Sequence, residues 1–131
     1  KGGSGMATGD VVNLVYSLKG DATGIAVKKN TTVYLVTGDG GIYTKHITTG
    51  ALTKTATIVK EKLTCIATNE TLNYIGTASG KIFKQTISGG AVTATPIANF
   101  KGTSIVGLAY DATATLLYVL TNKGTVHTVD E

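Results

Sequence analysis

Side chains that could support catalysis are few in this chain, and their spacing brings none of them together. The 131 residues include two histidines, His46 and His127, one cysteine, Cys65, and eight carboxylates. A metal site needs several such ligands to converge, and a nucleophile needs a base beside it. Because the sequence predicts neither arrangement, we expect no catalytic residue, no metal ligand and no cofactor-binding residue, and we interpret the chain as a non-enzyme.

The cysteine and the most glycine-rich segment are better explained by structure than by chemistry. Cys65 lies in a run of residues predicted to be an inner strand, where a buried thiol is the usual state. Gly38-Asp39-Gly40-Gly41 lies between two β-type runs. It is therefore predicted to be a hairpin turn and not a phosphate-binding loop.

The distribution of charge argues against two classes of partner. The formal net charge of +4 comes from twelve lysines spread along a chain without arginine. Nucleic-acid sites use arginine forks and a clustered basic stripe, and neither is visible, so no nucleic-acid partner is expected. No segment approaches the roughly 20 apolar residues of a membrane span, so no membrane partner is expected.

The elements that position these residues are predicted to be strands. Threonine occurs 24 times and tryptophan not at all. Threonine, valine, isoleucine and tyrosine are favoured on pleated, half-buried surfaces. The composition therefore favours an all-β protein.

A repeat of about 40 residues is the strongest signal in the sequence. Tyr34, Tyr74 and Tyr118 recur at one position, each followed by a threonine, a glycine and a β-branched residue in the same register. A tyrosine that recurs in this way indicates packing and not three ligand sites.

The same register assigns positions to the two histidines. His127 falls where the other copies have Tyr43 and Phe83, so a packing role is expected for it. His46 falls at a strand end.

Each copy divides into four short β runs. In the middle copy we predict strands at Leu63 to Thr68, Leu72 to Thr77, Lys81 to Ile87 and Ala91 to Ile97, separated by turn residues. Four antiparallel strands in about 40 residues make one propeller blade. A β-sandwich also has short strands and regular turns, but it does not explain the repeat.

The segment from Gly40-Gly41-Ile42-Tyr43 to Thr49-Gly50 resembles the blade repeat of PQQ-like and YVTN-like propellers, and more distantly that of WD40 proteins. The resemblance covers residues 9 to 131. It implies a β-propeller built from four-stranded antiparallel blades.

The repeat gives the expected boundaries. Residues 1–6 are predicted to be a linker, and residues 7–131 a three-blade propeller segment. Within that segment we expect an orphan outer strand at 9–18, blades at 24–59 and 62–98, and an incomplete blade at 103–131.

The two ends of the chain are predicted to supply complementary parts of a blade. The third copy reaches only its third strand, whereas Thr8-Gly9-Asp10 aligns with Thr49-Gly50-Ala51 ahead of a fourth strand. Natural propellers have about 4 to 8 blades, so we expect half of a six-bladed ring, completed as a homodimer in which each N-terminal strand joins the partner's third blade. The residues expected to close the ring are Val11, Val12, Leu14, Val15, Tyr16, Val126, Thr128 and Val129.

Other arrangements would also complete the third blade. They are a different propeller-completing chain, nine blades from three chains, a fragment of a longer propeller, and a three-bladed monomer that uses its own strand.

Three classes of function follow from this fold. A self-assembling scaffold or protein-interaction module is favoured. A lectin-like propeller that binds a glycan or small ligand would repeat aromatic residues in its loops, whereas Lys28-Lys29-Asn30, Thr68-Asn69-Glu70 and Asp111-Ala112-Thr113 are polar without any. The third alternative is a fragment of a larger propeller enzyme.

Overall fold

Three antiparallel β-sheets follow one another along the chain in the computed structural model, which describes residues 18, 20–29, 31–86 and 94–130. The first sheet contains β1 (Ala22–Lys28), β2 (Thr32–Thr37), β3 (Gly41–His46) and β4 (Thr53–Thr57). The second contains β5 (Leu63–Thr68), β6 (Leu72–Thr77), β7 (Lys81–Thr86) and β8 (Ala94–Asn99). The third contains β9 (Ile105–Asp111), β10 (Leu116–Thr121) and β11 (Val126–Asp130).

The all-β prediction is confirmed, and so are the first two predicted strands of the middle copy. The fourth predicted strand, Ala91 to Ile97, was wrong in its end, because pairing of Lys81 with Asn99 carries β8 two residues further. The described part of the third sheet has three strands, the number that the third copy reaches in the sequence.

Every sheet has a β-bulge at the same place in its first strand. One residue between the paired positions is left over in each case: Thr23 in β1, Thr64 in β5 and Val106 in β9. A bulge turns the extra residue out of the ladder and increases the local twist. The repeat in the sequence is therefore a repeat of backbone geometry as well.

The hairpin between the second and third strands of each sheet is closed by a threonine hydroxyl. Thr37 accepts a hydrogen bond from the amide of Gly41 at 3.0 Å, and Thr77 accepts one from the amide of Lys81 at 3.0 Å. The predicted hairpin turn at residues 38–41 is confirmed by this bond and by the bond from the Gly40 amide to the Thr37 carbonyl at 3.1 Å.

The sheets pack face to face, and their apolar residues form two buried clusters. One cluster lies between the first and second sheets, and the other between the second and third. The first strands form an inner row in which β5 packs between β1 and β9, whereas β1 and β9 share at most a marginal contact. The described sheets therefore form an open series with two ends, in an arrangement consistent with part of a propeller.

Candidate functional site

The two histidines occupy the positions that the repeat assigns to them. His127 pairs with Val119 as Tyr43 pairs with Leu35, and its ring lies 4.9 Å from that of Phe100. His46 ends β3, where its Nδ1 atom accepts a hydrogen bond of 3.2 Å from the amide of Thr48. Among the described residues, no group of three or more histidine, cysteine or carboxylate side chains could hold a metal ion.

Cys65 is buried on β5, the inner strand on which it was predicted. Burial raises the pKa of its thiol, and the hydroxyl of Thr64 and the amide of Gly76 lower that pKa by less. The protonated thiol is a weak nucleophile. Cys65 is therefore suited to packing and not to nucleophilic attack.

Asp39 is fully exposed in the hairpin turn after β2. The Thr37 hydroxyl, followed by the Gly41 amide, lowers the pKa of its carboxyl group. These partners are neighbours within the same turn, so the carboxylate supports the hairpin.

None of the described residues belongs to a helix long and apolar enough to cross a membrane.

The arrangement that repeats most closely is the joint between consecutive sheets. We call the side of each sheet that carries Tyr34, Tyr74 or Tyr118 its forward face. The side that carries Ile25, Ile66 or Leu108 is its rear face. The forward face of the first sheet packs on the rear face of the second, and the second packs on the third in the same way.

Side chains at both internal joints are buried. Val36 on the forward face of the first sheet lies in one cluster with Ile66 and Ile75 on the rear face of the second. At the next joint, the rings of Tyr74 and Tyr110 stack with centroids 5.7 Å apart. Close packing of this kind is the main stabilising contribution that each sheet receives.

A hydrogen bond from the bulge reinforces each internal joint. The hydroxyl of Thr23 donates to the backbone carbonyl of Leu63 at 2.7 Å, and the hydroxyl of Thr64 donates to the carbonyl of Ile105. The two bonds join equivalent residues of consecutive sheets. The third bulge carries Val106, which has no hydroxyl and is 47% exposed.

The forward face of the third sheet has no neighbour among the described residues. Tyr118, Leu120 and Val126 are 40%, 42% and 63% exposed, although the equivalent residues Tyr34 and Val36 are buried. These side chains and the small residues Gly107 and Ala109 border an apolar groove of about 240 Å³.

The rear face of the first sheet is the other end of the series. Ile25 is 63% exposed, whereas its counterpart Ile66 is buried at the first internal joint. Val27 on the same strand is 50% exposed. One end of the series thus exposes a forward face and the other exposes a rear face. At the internal joints, faces of these two kinds are buried against each other.

The edge of the third sheet differs from the edges of the other two. Gly40 and Gly80 are covered by the residues that follow β4 and β8, respectively. A Cβ atom on Gly80 would meet the Phe100 carbonyl oxygen at 2.2 Å. At the equivalent Gly124, no described atom lies within 4 Å of that position. β11 is the edge strand of the described part of the third sheet.

The predicted ring-closing residues fall into two groups. Val11, Val12, Leu14, Val15 and Tyr16 lie outside the described residues. The remaining three lie on β11, where Val126 and Thr128 pair with residues of the forward face and are exposed, while the half-buried Val129 packs against the second cluster.

Sequence reasoning missed the exposed residues of the two faces. Ile25 and Leu120 look like ordinary strand residues, and only their place in the first or last copy of the repeat distinguishes them from their buried counterparts Ile66 and Val36. That place, combined with alternation of apolar residues along β1, is the signal that could have identified them.

Comparison with known proteins gives a likeness of fold. No protein-family model matches the chain, and no curated protein matches it. Among solved structures, it is similar to the crystal structure of the computationally designed Ika4 protein, with a TM-score of 0.57 and 15% sequence identity over 89% of this chain and 95% of that one. The likeness extends over nearly all of both chains, and at this identity it concerns the all-β fold alone.

Proposed function

We propose that the chain is a self-assembling scaffold without catalytic activity, and that two copies close into a propeller of six sheets. The observation that carries this proposal is the exposure of Tyr118, Leu120 and Ile25 at repeat positions whose counterparts are buried between sheets. Monomeric proteins rarely expose contiguous apolar patches larger than a few hundred Å². The exposed apolar side chains at both ends of the series therefore favour burial against another surface.

A second copy supplies a cover for both ends at once. Each chain has one exposed forward face and one exposed rear face, so two chains related by a two-fold axis can close into a ring without leaving a free end. Twice the three sheets of one chain is six, which lies within the range of about 4 to 8 blades known for closed propellers.

Strand exchange completes the third sheet in this proposal. Residues 9–18 of one copy add to β11 of the other by edge pairing, as the alignment of that segment with a fourth strand predicts. The absence of any described atom within 4 Å of a Cβ position on Gly124 supports this, because the equivalent Gly40 and Gly80 are covered by the residues that follow β4 and β8.

The loops on one side of the ring are the proposed partner-binding surface. Loops between first and second strands lie at the same end of each sheet, and two of them touch: the amide of Lys29 donates to the carboxylate of Glu70 at 3.0 Å. A polar rim with a rigid support suits a protein partner. Binding to a glycan array instead would identify the lectin-like alternative.

The test of assembly is the solution mass, measured by light scattering on a size-exclusion column, of the full chain and of a chain lacking residues 1–18. We expect a mass near twice 13.4 kDa for the full chain, and loss of that species or aggregation after the deletion. A full chain that is itself a monomer, and that keeps its fold after the deletion, would contradict the proposal.

A further inference from the structure

We propose that the joint between copies is formed by unlike faces, with the rear face of the first sheet of one copy seated in the groove on the forward face of the other copy's third sheet. The inference deepens the proposed assembly and depends on it. It assigns a register as well as a partner: the joint repeats the two joints found within the chain.

The strand registers define which residues meet. Leu120 occupies the position of Val36, because Gly107 pairs with Leu120 as Gly24 pairs with Val36. Ile25 occupies the position of Ile66, because Ile25 pairs with Leu35 as Ile66 pairs with Ile75.

The internal joint shows what these positions do when they are covered. Val36 and Ile66 lie in the same buried cluster between the first and second sheets. In the joint between copies, Leu120 of one chain therefore meets Ile25 of the other, in the same relation.

The groove has the shape that this register requires. Its small residues, Gly107 and Ala109, occupy the positions of Gly24 and Ala26 at the first internal joint. A Cβ atom on Gly24 would come within 3.0 Å of the backbone of Cys65 on the next sheet, so the first strands approach closely there. The glycine in the groove permits the same approach by β1 of a second copy.

Pairing of like faces is disfavoured by the same comparison. Two forward faces would bring Tyr118 and Leu120 against their own copies, and no joint of that kind occurs between the described sheets. Unlike faces reuse a contact that the chain forms twice. The proposed contact is therefore heterologous, and in a ring of two copies it occurs twice.

One substitution on each face tests this pairing. Leu120→Glu places a charge on the forward face, and Ile25→Lys places one on the rear face. Both residues are more than 40% exposed in the single chain, so each variant should keep its fold. Val59→Lys, at an exposed residue in the loop before β5, is the matched control for the cost of an added charge. Circular dichroism verifies the fold of every variant.

Unlike faces predict a specific pattern of masses. Each face variant alone should run as a monomer, because a buried unpaired charge disrupts both joints of its ring. An equimolar mixture should recover the dimer, since one joint is then wild type and the other pairs Glu with Lys. The Val59→Lys control should remain dimeric. The expected shift in dissociation constant for each variant alone is at least about 100-fold.

Three results would overturn the inference. A dimer formed by Ile25→Lys alone would mean that forward faces pair with each other, and a dimer formed by Leu120→Glu alone would mean that rear faces do. A folded mixture that stays monomeric would exclude the pairing of unlike faces. A wild-type chain that is itself monomeric would contradict the proposed assembly, and a dimeric one with a wrong pattern contradicts the register alone.

Discussion

The hydroxyl of Thr23 donates a hydrogen bond of 2.7 Å to the backbone carbonyl of Leu63, across the boundary between two sheets. The same bond recurs from Thr64 to Ile105. In the third sheet, Val106 occupies the position of the donor. In the proposed joint with the next copy, the equivalent acceptor is the carbonyl of Ala22 of that copy, and Val106 offers it no hydroxyl.

Restoring the donor should tighten the assembly. Val106→Thr is expected to lower the dissociation constant of the dimer by about tenfold for each of the two joints of the ring, because an unsatisfied buried carbonyl costs about 1–3 kcal/mol, whereas losing one methyl group costs about 0.8 kcal/mol. Light scattering over a dilution series measures the constant. Val59→Thr makes the same chemical change at an exposed loop position and should have no effect. An unchanged or weaker dimer would argue against this alignment of the bulges.

Removing an internal donor should affect folding and leave assembly intact. Thr64→Val leaves the carbonyl of Ile105 without its hydroxyl partner, and we expect the free energy of unfolding to fall by about 1–3 kcal/mol. Urea denaturation followed by circular dichroism measures this change. Thr57→Val, at an exposed residue of β4, serves as the control. If both variants unfold at the same urea concentration as wild type, the inter-sheet bond contributes nothing.

Two glycines in equivalent turns should differ in their tolerance of a side chain. Gly80 and Gly124 both have positive φ angles, of 91° and 78°, which cost alanine about 1–2 kcal/mol. Gly80→Ala additionally places a Cβ atom 2.2 Å from the Phe100 carbonyl oxygen, so its free energy of unfolding should fall further.

Gly124→Ala tests the strand that is proposed to cover this glycine. Thermal unfolding should show a milder effect for Gly124→Ala in the chain lacking residues 1–18 than in the full chain. Equal effects in both chains would mean that no added strand lies over Gly124.

The buried thiol should respond to pH in a defined direction. Burial raises the pKa of Cys65 above its ordinary value of 9.0, so the folded state holds this proton more tightly than the unfolded state. The resulting stability is present below about pH 9 and is lost as the pH rises through the folded pKa.

Alkylation by iodoacetamide measures that response. Cys65 in the folded chain should react more slowly than in urea at pH 8, and Cys65→Ala should remove its share of the alkaline destabilisation. Equal alkylation rates in the two states would show that the thiol is accessible and ionises normally.

The strands of the second sheet could be predicted because local signals and pairing agree there. Leu63 to Thr68 and Leu72 to Thr77 alternate in the expected way and end at turn residues. The last strand of that sheet could not be delimited, because β8 runs through Pro96 and its end depends on pairing with β7. An edge strand tolerates proline, which a local rule would treat as a breaker.

The exposed residues of the two end faces were not identified from the sequence, for a different physical reason. Ile25 and Ile66 are both isoleucines at the same repeat position, so neither local propensity nor hydropathy predicts that one is exposed and the other buried. Their exposures differ because one sheet has a neighbour on its rear face and the other has none within the described residues. Burial at these positions is a property of the stack and not of the strand.

The unlike ends of the series give this molecule a direction. In the proposed assembly, each copy that docks leaves the same pair of free surfaces, so addition stops only when the accumulated rotation brings the last surface to the first. The angle between adjacent sheets therefore decides between a finite ring and an endless filament. A substitution that changes this angle by bulk alone, at a glycine such as Gly76 beneath Ile105, could convert one into the other without altering either end.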